Sequence, residues 1–190
     1  MLTTISDKVA CWLVKNRVIE EEDFKIFSFA AFHLLFNTIP LVIFTIVCSI
    51  FHCGLYAFVL SCATLAMRRY TGGYHASNPI ACIIMSISVL SIGVGFIQTR
   101  NNDSLVFFGA LVASIIVWFF SPIDSKNYRL KEHKKKKYRN YARVTLLLEL
   151  VLYLVLSYMD YDKLALSLAM GIIIAALLLA VCIPGQMMKE

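Results

Sequence analysis

The chain has 190 residues, 59% of them hydrophobic and 16% charged, with a net charge of +6 and a mean hydropathy of +0.74. An ordinary globular domain carries about 45–50% apolar and about 25% charged residues, so a water-soluble core of this size cannot absorb the apolar excess. At roughly 20 residues per membrane-spanning helix there is room for several spans and none for a second folded domain, so residues 1–190 read as one all-α, polytopic integral membrane domain.

Residues 1–25 come first. Ile5, Val9, Trp12, Leu13 and Val18 fall at helical spacing, while Asp7, Lys8, Lys15, Asn16 and Arg17 take other faces. This predicts an N-terminal amphipathic helix lying in the interface plane with Trp12 at headgroup level; a helix packed on cytoplasmic loops would show the same pattern. The stretch has neither the apolar h-region nor the small-residue cleavage site of a removable signal peptide. Six apolar segments follow, at 26–51, 55–67, 79–97, 105–120, 144–159 and 164–183, each ended by charge, Gly or Pro. About six transmembrane helices are therefore expected, the second short enough to be thinned, tilted or partly packed in protein.

The basic residues orient the spans. With a cytoplasmic N-terminus, Lys8, Lys15, Arg17, Lys25, Arg68, Arg69, Lys126, Arg129, Lys131, the lysines at 134–137, Arg139, Arg143 and Lys189 all lie inside, leaving only Arg100 and Lys163 outside. The positive-inside rule then places both termini, the 68–78 loop and the basic 124–143 loop in the cytoplasm.

Cys11, Cys48, Cys53, Cys62, Cys82 and Cys182 have no compact disulfide or CxxC spacing, and most lie in apolar runs where cysteine behaves as a small hydrophobe. Cys82 differs through what precedes it. The polar stretch Arg68-Arg69-Tyr70-Thr71-Gly72-Gly73-Tyr74-His75-Ala76-Ser77-Asn78-Pro79 places His75 seven positions before it. A nucleophile needs a base within hydrogen-bond reach; on one straight helix the two residues would stand roughly 10 Å apart, so the chain must fold back. Gly72 and Gly73 permit such a turn. Pro79 suits the first position of a helix capped by Asn78 or Ser77, which puts Cys82 in the first helical turn, where unpaired N–H groups and the helix dipole favour a thiolate. Arg68 and Arg69 add to the positive field, and the same N–H groups can stabilise an oxyanion. The competing reading is that Cys82 merely packs. His52-Cys53 is a rival pair, but sequence neighbours point apart on a helix.

His33 in the first span and His133 in the basic loop read as satisfied or solvated histidines, and no His, Cys or carboxylate set has zinc spacing, so neither metal nor cofactor is expected. Glu149 interrupts an apolar run, and an ionisable group inside a span is a functional hypothesis by default; pairing within the bundle is the alternative. The lysines at 134–137, with Arg139 and Arg143, read as a topology signal meeting anionic lipid or as a docking surface for an acidic peptide. Nucleic acid fits poorly, since the run lies between spans without a recognition module.

The 68–76 stretch with Cys82 downstream, and Ser121-Pro122-Ile123-Asp124 ahead of a Lys-rich segment, resemble the AgrB (accessory gene regulator B) family, membrane cysteine endopeptidases that process quorum-sensing propeptides in the cell membrane of Gram-positive bacteria. The resemblance implies that Cys82 is the nucleophile and His75 its base, within a catalytic loop at 68–82. It implies that Arg68, Arg69 and Gly73 charge or shape the site, and that Lys135, Lys136 and Lys137 correspond to basic positions implicated in function. His33 stands where the family commonly has a polar Gln or Glu. The implied partners are the bilayer, a second copy of the chain, and an AgrD-like propeptide with an amphipathic leader, a short core containing Cys or Ser, and an acidic tail. A small non-enzymatic carrier or scaffold is the alternative; it would depend on Glu149 and His33 and be indifferent to Cys82.

Overall fold

A computed structural model describes residues 2–72, 79–100, 104–123 and 132–182. Every regular element among them is helical: α1 (Leu2–Lys15), a 3-10 turn (Glu21–Asp23), α2 (Phe24–Ile50), α3 (Gly54–Thr71), α4 (Pro79–Thr99), α5 (Ser104–Phe120), α6 (Glu132–Tyr158) and α7 (Asp162–Ala180). Four regions are long and apolar enough to cross a bilayer, at Glu21–Ile50, Ile80–Thr99, Lys135–Tyr158 and Asp162–Ala180. A count of about six spans would add α5, which is apolar but 17 residues long, and α3, whose last turn carries Arg68 and Arg69.

One boundary differs from expectation. α6 starts at Glu132, so the second half of the basic 124–143 segment is helical. Apolarity alone misses this start because Lys, Glu and Arg are good helix formers in their own right, and Tyr138 and Ala142 supply the inward stripe: Ala142 is buried and Tyr138 half-buried.

The chain forms two compact units, Met1–Val47 and Cys48–Glu190. In the first, α1 turns Ser6 and Ala10 inward and leaves Ile5, Val9 and Trp12 exposed, and the Ser28 hydroxyl donates to the Asp7 carboxylate. The apolar face of α1 is thus not consumed by packing within this unit, as an interfacial helix requires.

In the second unit α7 touches α3, α4, α5 and α6. Its inward face is rich in small residues, Ala165, Ser167, Ala169, Gly171, Ala175 and Ala176, the composition that lets helix backbones approach closely in lipid. At Gly171 the approach is tightest: an added Cβ would lie 2.6 Å from the Ala63 Cβ of α3. Met67, Ala113, Val117, Leu146 and Ile172, from four different helices, share one core cluster. Contacts fix an antiparallel order. At one end Tyr70 of α3 meets Tyr138 and Tyr141 of α6; at the other the Lys163 ammonium of α7 lies over the Tyr56 ring of α3 and donates to Gln98 Oε1 of α4. The outward faces remain apolar, with Ile80, Ile92, Phe119 and Leu148 between 65% and 73% exposed. Surfaces of that kind are stable only when lipid covers them, so the apolar excess is spent outside the bundle and this is a membrane protein.

Candidate functional site

Among the described residues, the end of the bundle near Tyr70 gathers Arg68, Arg69, Cys82 and the basic start of α6. α3 stops at Thr71 because Gly72 takes φ 73° and ψ −147°, a region open essentially to glycine alone. The Gly72 N–H still donates to the Arg68 carbonyl at 3.2 Å. The Ile123 N–H donates to the Thr71 carbonyl at 3.0 Å, making an isolated parallel bridge between Gly72 and Ile123. Ser121, Pro122 and Ile123 are all buried. This ties the chain leaving α5 to the chain leaving α3, and gives the Ser121-Pro122-Ile123 part of the motif a structural task that spacing could not reveal. Asp124 lies outside the described residues, as do Gly73, His75, Ser77 and Asn78.

α4 begins at Pro79, so Cys82 is its fourth residue and belongs to the turn whose backbone N–H groups lack intrahelical partners. Cys82 is partly exposed. Half-buried Arg68 reaches it electrostatically: burial lowers the Arg68 guanidinium from its ordinary value, while the Cys82 and Cys182 sulfurs act to raise it. Cys182, just past the end of α7, thus lies within electrostatic range of Arg68, although it stands a hundred positions from Cys82 in an apolar run. Arg69 is exposed.

The basic start of α6 is fixed to this end of α3. The Tyr70 ring lies 6.2 Å from Tyr138 and 5.4 Å from Tyr141, and the Lys137 ammonium sits 5.7 Å over the Tyr141 ring. Lys135 is half-buried and Lys136 exposed. Arg143 lies 4.6 Å over the Trp118 ring and its Nη2 donates to the Trp118 carbonyl, so it braces α6 against α5. Of the basic cluster, Arg143 is engaged in packing, whereas Lys136 and Arg139 face outward. The side chains of His33, His133 and Lys134 are outside the description.

Glu149 lies farther along α6, only 7% exposed, and neither carboxylate oxygen has a hydrogen-bond partner among the described residues. An unsatisfied buried polar group costs about 1–3 kcal/mol. Glu149→Leu is therefore expected to raise the melting temperature of the purified protein in detergent; a fall would show that the carboxylate has a stabilising partner. His52 and Cys53 do not form a pair: His52 is exposed, and the buried Cys53 thiol donates to the Cys48 carbonyl at 3.1 Å.

An AgrB-like protein of Clostridium perfringens strain SM101 is 26% identical over 183 residues, covering 92% of this chain and 83% of its own length. A second AgrB-like protein, from Clostridium perfringens strain 13, is 27% identical over 146 residues, covering 72% of this chain and 68% of its own. No solved structure matches. The family model described as Accessory gene regulator B matches residues 6–179, nearly the whole helical part of the chain, and the chain belongs to that family.

Proposed function

We propose that this protein is a membrane-integrated cysteine endopeptidase that removes the C-terminal tail of an AgrD-like quorum-sensing propeptide and promotes closure of its core into a thiolactone or lactone. Family membership supports a role in processing the quorum-sensing peptide. The observation that carries the finer reading is a partly exposed cysteine, Cys82, at the fourth position of α4 with the Arg68 guanidinium within electrostatic range, where a positive charge can stabilise the oxyanion of an attacked carbonyl.

In this reading His75 takes the Cys82 thiol proton as the sulfur attacks the carbonyl at the end of the peptide core. The C–N bond breaks, His75 returns the proton to the departing amine of the tail, and the core remains as a thioester on Cys82. An internal thiol or hydroxyl of the core then attacks the thioester carbonyl, the ring closes, and Cys82 leaves as the thiol. Exchange of one thioester for another keeps the acyl energy that hydrolysis would dissipate, so excluding water is part of the chemistry. Gly73 shapes the catalytic loop, and Arg68 and Arg69 charge it. Lys135, Lys136 and Lys137, at the start of the helix that Tyr70 joins to α3, hold the acidic tail. The chain crosses the bacterial cell membrane about six times with both termini and the catalytic loop cytoplasmic, and it works as a homodimer.

Acid-quenched mixtures of the protein and its propeptide test this. Mass spectrometry should find the peptide core esterified to Cys82; an acyl group on any other cysteine defeats the assignment. Buried Glu149, whose carboxylate has no hydrogen-bond partner among the described residues, favours a second reading, a non-enzymatic carrier. That reading requires solute flux in liposomes that survives Cys82→Ala.

A further inference from the structure

The corner between α2 and α3 lies at the opposite end of α3 from the candidate active site and has no task in the chemistry above. α2 ends in a double backbone bond: the His52 N–H donates to the Ser49 carbonyl and the Cys53 N–H to the Cys48 carbonyl, each at 3.0 Å. His52 between them takes a left-handed φ of 57°. This is a Schellman cap, in which the residue two past the helix end folds back onto the residue in the last full turn. Those two positions are ordinarily an apolar pair. Here both are cysteine, and the side-chain consequence is direct: the Cys48 and Cys53 thiols are hydrogen-bond neighbours, and the Cys53 Sγ–H also donates to the Cys48 carbonyl. Gly54 tightens the corner further, since a Cβ there would fall on the Ser49 hydroxyl oxygen. Both are free cysteines and sheltered, Cys48 being 8% and Cys53 6% exposed, beneath a turn whose Phe51 and His52 are exposed.

The backbone cap and the Cys53 Sγ–H bond to the Cys48 carbonyl hold the two cysteines side by side, the proximity that a disulfide requires. We propose that Cys48 and Cys53 form a redox site, a dithiol that an incoming disulfide converts into a Cys48–Cys53 disulfide closing the α2–α3 corner. One cysteine sulfur, as thiolate, attacks the incoming disulfide, forming a mixed disulfide and expelling one thiolate. The other cysteine sulfur then attacks the mixed disulfide and expels the second. Two protons and two electrons leave the cysteine pair and appear on the two released thiols, so one S–S bond is broken for one made. The site does not depend on Cys82 chemistry, so its test stands or falls separately from the peptidase.

The small apolar disulfide 4,4′-dithiodipyridine, applied to the full-length protein in detergent micelles, distinguishes a contacting pair from two independent thiols. An isolated cysteine keeps one pyridylthio group, whereas a contacting pair discharges it. After denaturation, alkylation and proteolysis without reductant, the peptide holding residues 48 to 53 should be two hydrogens lighter and carry neither pyridylthio nor alkyl groups. In Cys48→Ser or Cys53→Ser the remaining thiol should retain the pyridylthio adduct. Stable adducts on both cysteines of the unsubstituted protein overturn the proposal. So does a disulfide from either to a different cysteine, or recovery of both as alkylated thiols once exposed Cys11 has reacted fully.

Discussion

Cys82→Ala is expected to cut cleavage of the cognate propeptide by at least ~10³-fold, since removing the nucleophile leaves only binding and oxyanion stabilisation. The substituted chain should still accumulate in the membrane at the unsubstituted level. Cys82 is small and partly exposed on a helix, and alanine is the best helix former, so little packing is lost. His75→Ala should fall by a similar factor, and the double variant by hardly more than either alone, because nucleophile and base act as one unit. Propeptide cleavage and ring closure are read together by mass, the ring being one water lighter than the linear core. Normal cleavage by Cys82→Ala would exclude the endopeptidase reading, whereas cleavage with only linear product would retain the peptidase and remove the cyclisation step.

Gly72→Ala is expected to have the second largest effect, through structure rather than chemistry. A side chain would force a backbone conformation that costs on the order of 1–3 kcal/mol for non-glycine residues. Its Cβ would also stand 2.5 Å from the Ile123 carbonyl oxygen, against the backbone bridge that joins the ends of α3 and α5. Melting in detergent should drop by roughly 2–4 °C for each kcal/mol lost, and processing should fall more than stability, because the bridge aligns the chain entering the catalytic loop. Gly95 supplies the control: nothing lies within 4 Å of a Cβ there, so Gly95→Ala should hold or slightly raise stability through helix propensity alone. Equal losses in the two variants would mean that the Gly72–Ile123 bridge is dispensable.

Apolar periodicity located most helices to within a few residues, since lipid leaves hydropathy as a direct record of which segments are buried in it. The expected segment at 105–120 became α5 (Ser104–Phe120), and 79–97 became α4 (Pro79–Thr99), with the helix start at Pro79 that its fixed φ favours. α6 escaped at its basic end because hydropathy ignores the helix propensity of lysine and glutamate. At the candidate site, the glycine at 72 and the cysteine at 82 were legible because turn chemistry and helix-terminus electrostatics are local. The Thr71–Ile123 hydrogen bond, the electrostatic reach of Cys182 to Arg68 and the tilted ring contact of Tyr70 with Tyr141 were not, since each joins segments more than fifty residues apart. The Cys48–Cys53 contact is an intermediate case. It follows from a cap six residues long, yet only the left-handed turn at His52 turns spacing into contact.

The position of α7 in the bundle bears on how this protein is made. The helices leave the ribosome in chain order, and α7, the common neighbour of α3, α4, α5 and α6, is the last of them to emerge. Until it arrives, Ala63 of α3 has no Gly171 to pack against, while Leu60 already faces Gly93 of α4. Insertion of the earlier helices into the membrane and their packing around α7 are therefore separate events. A nascent chain stalled before residue 162 would hold its earlier helices in the bilayer, with Tyr70 of α3 able to meet Tyr138 and Tyr141 of α6, but without the helix that α3, α4, α5 and α6 all touch.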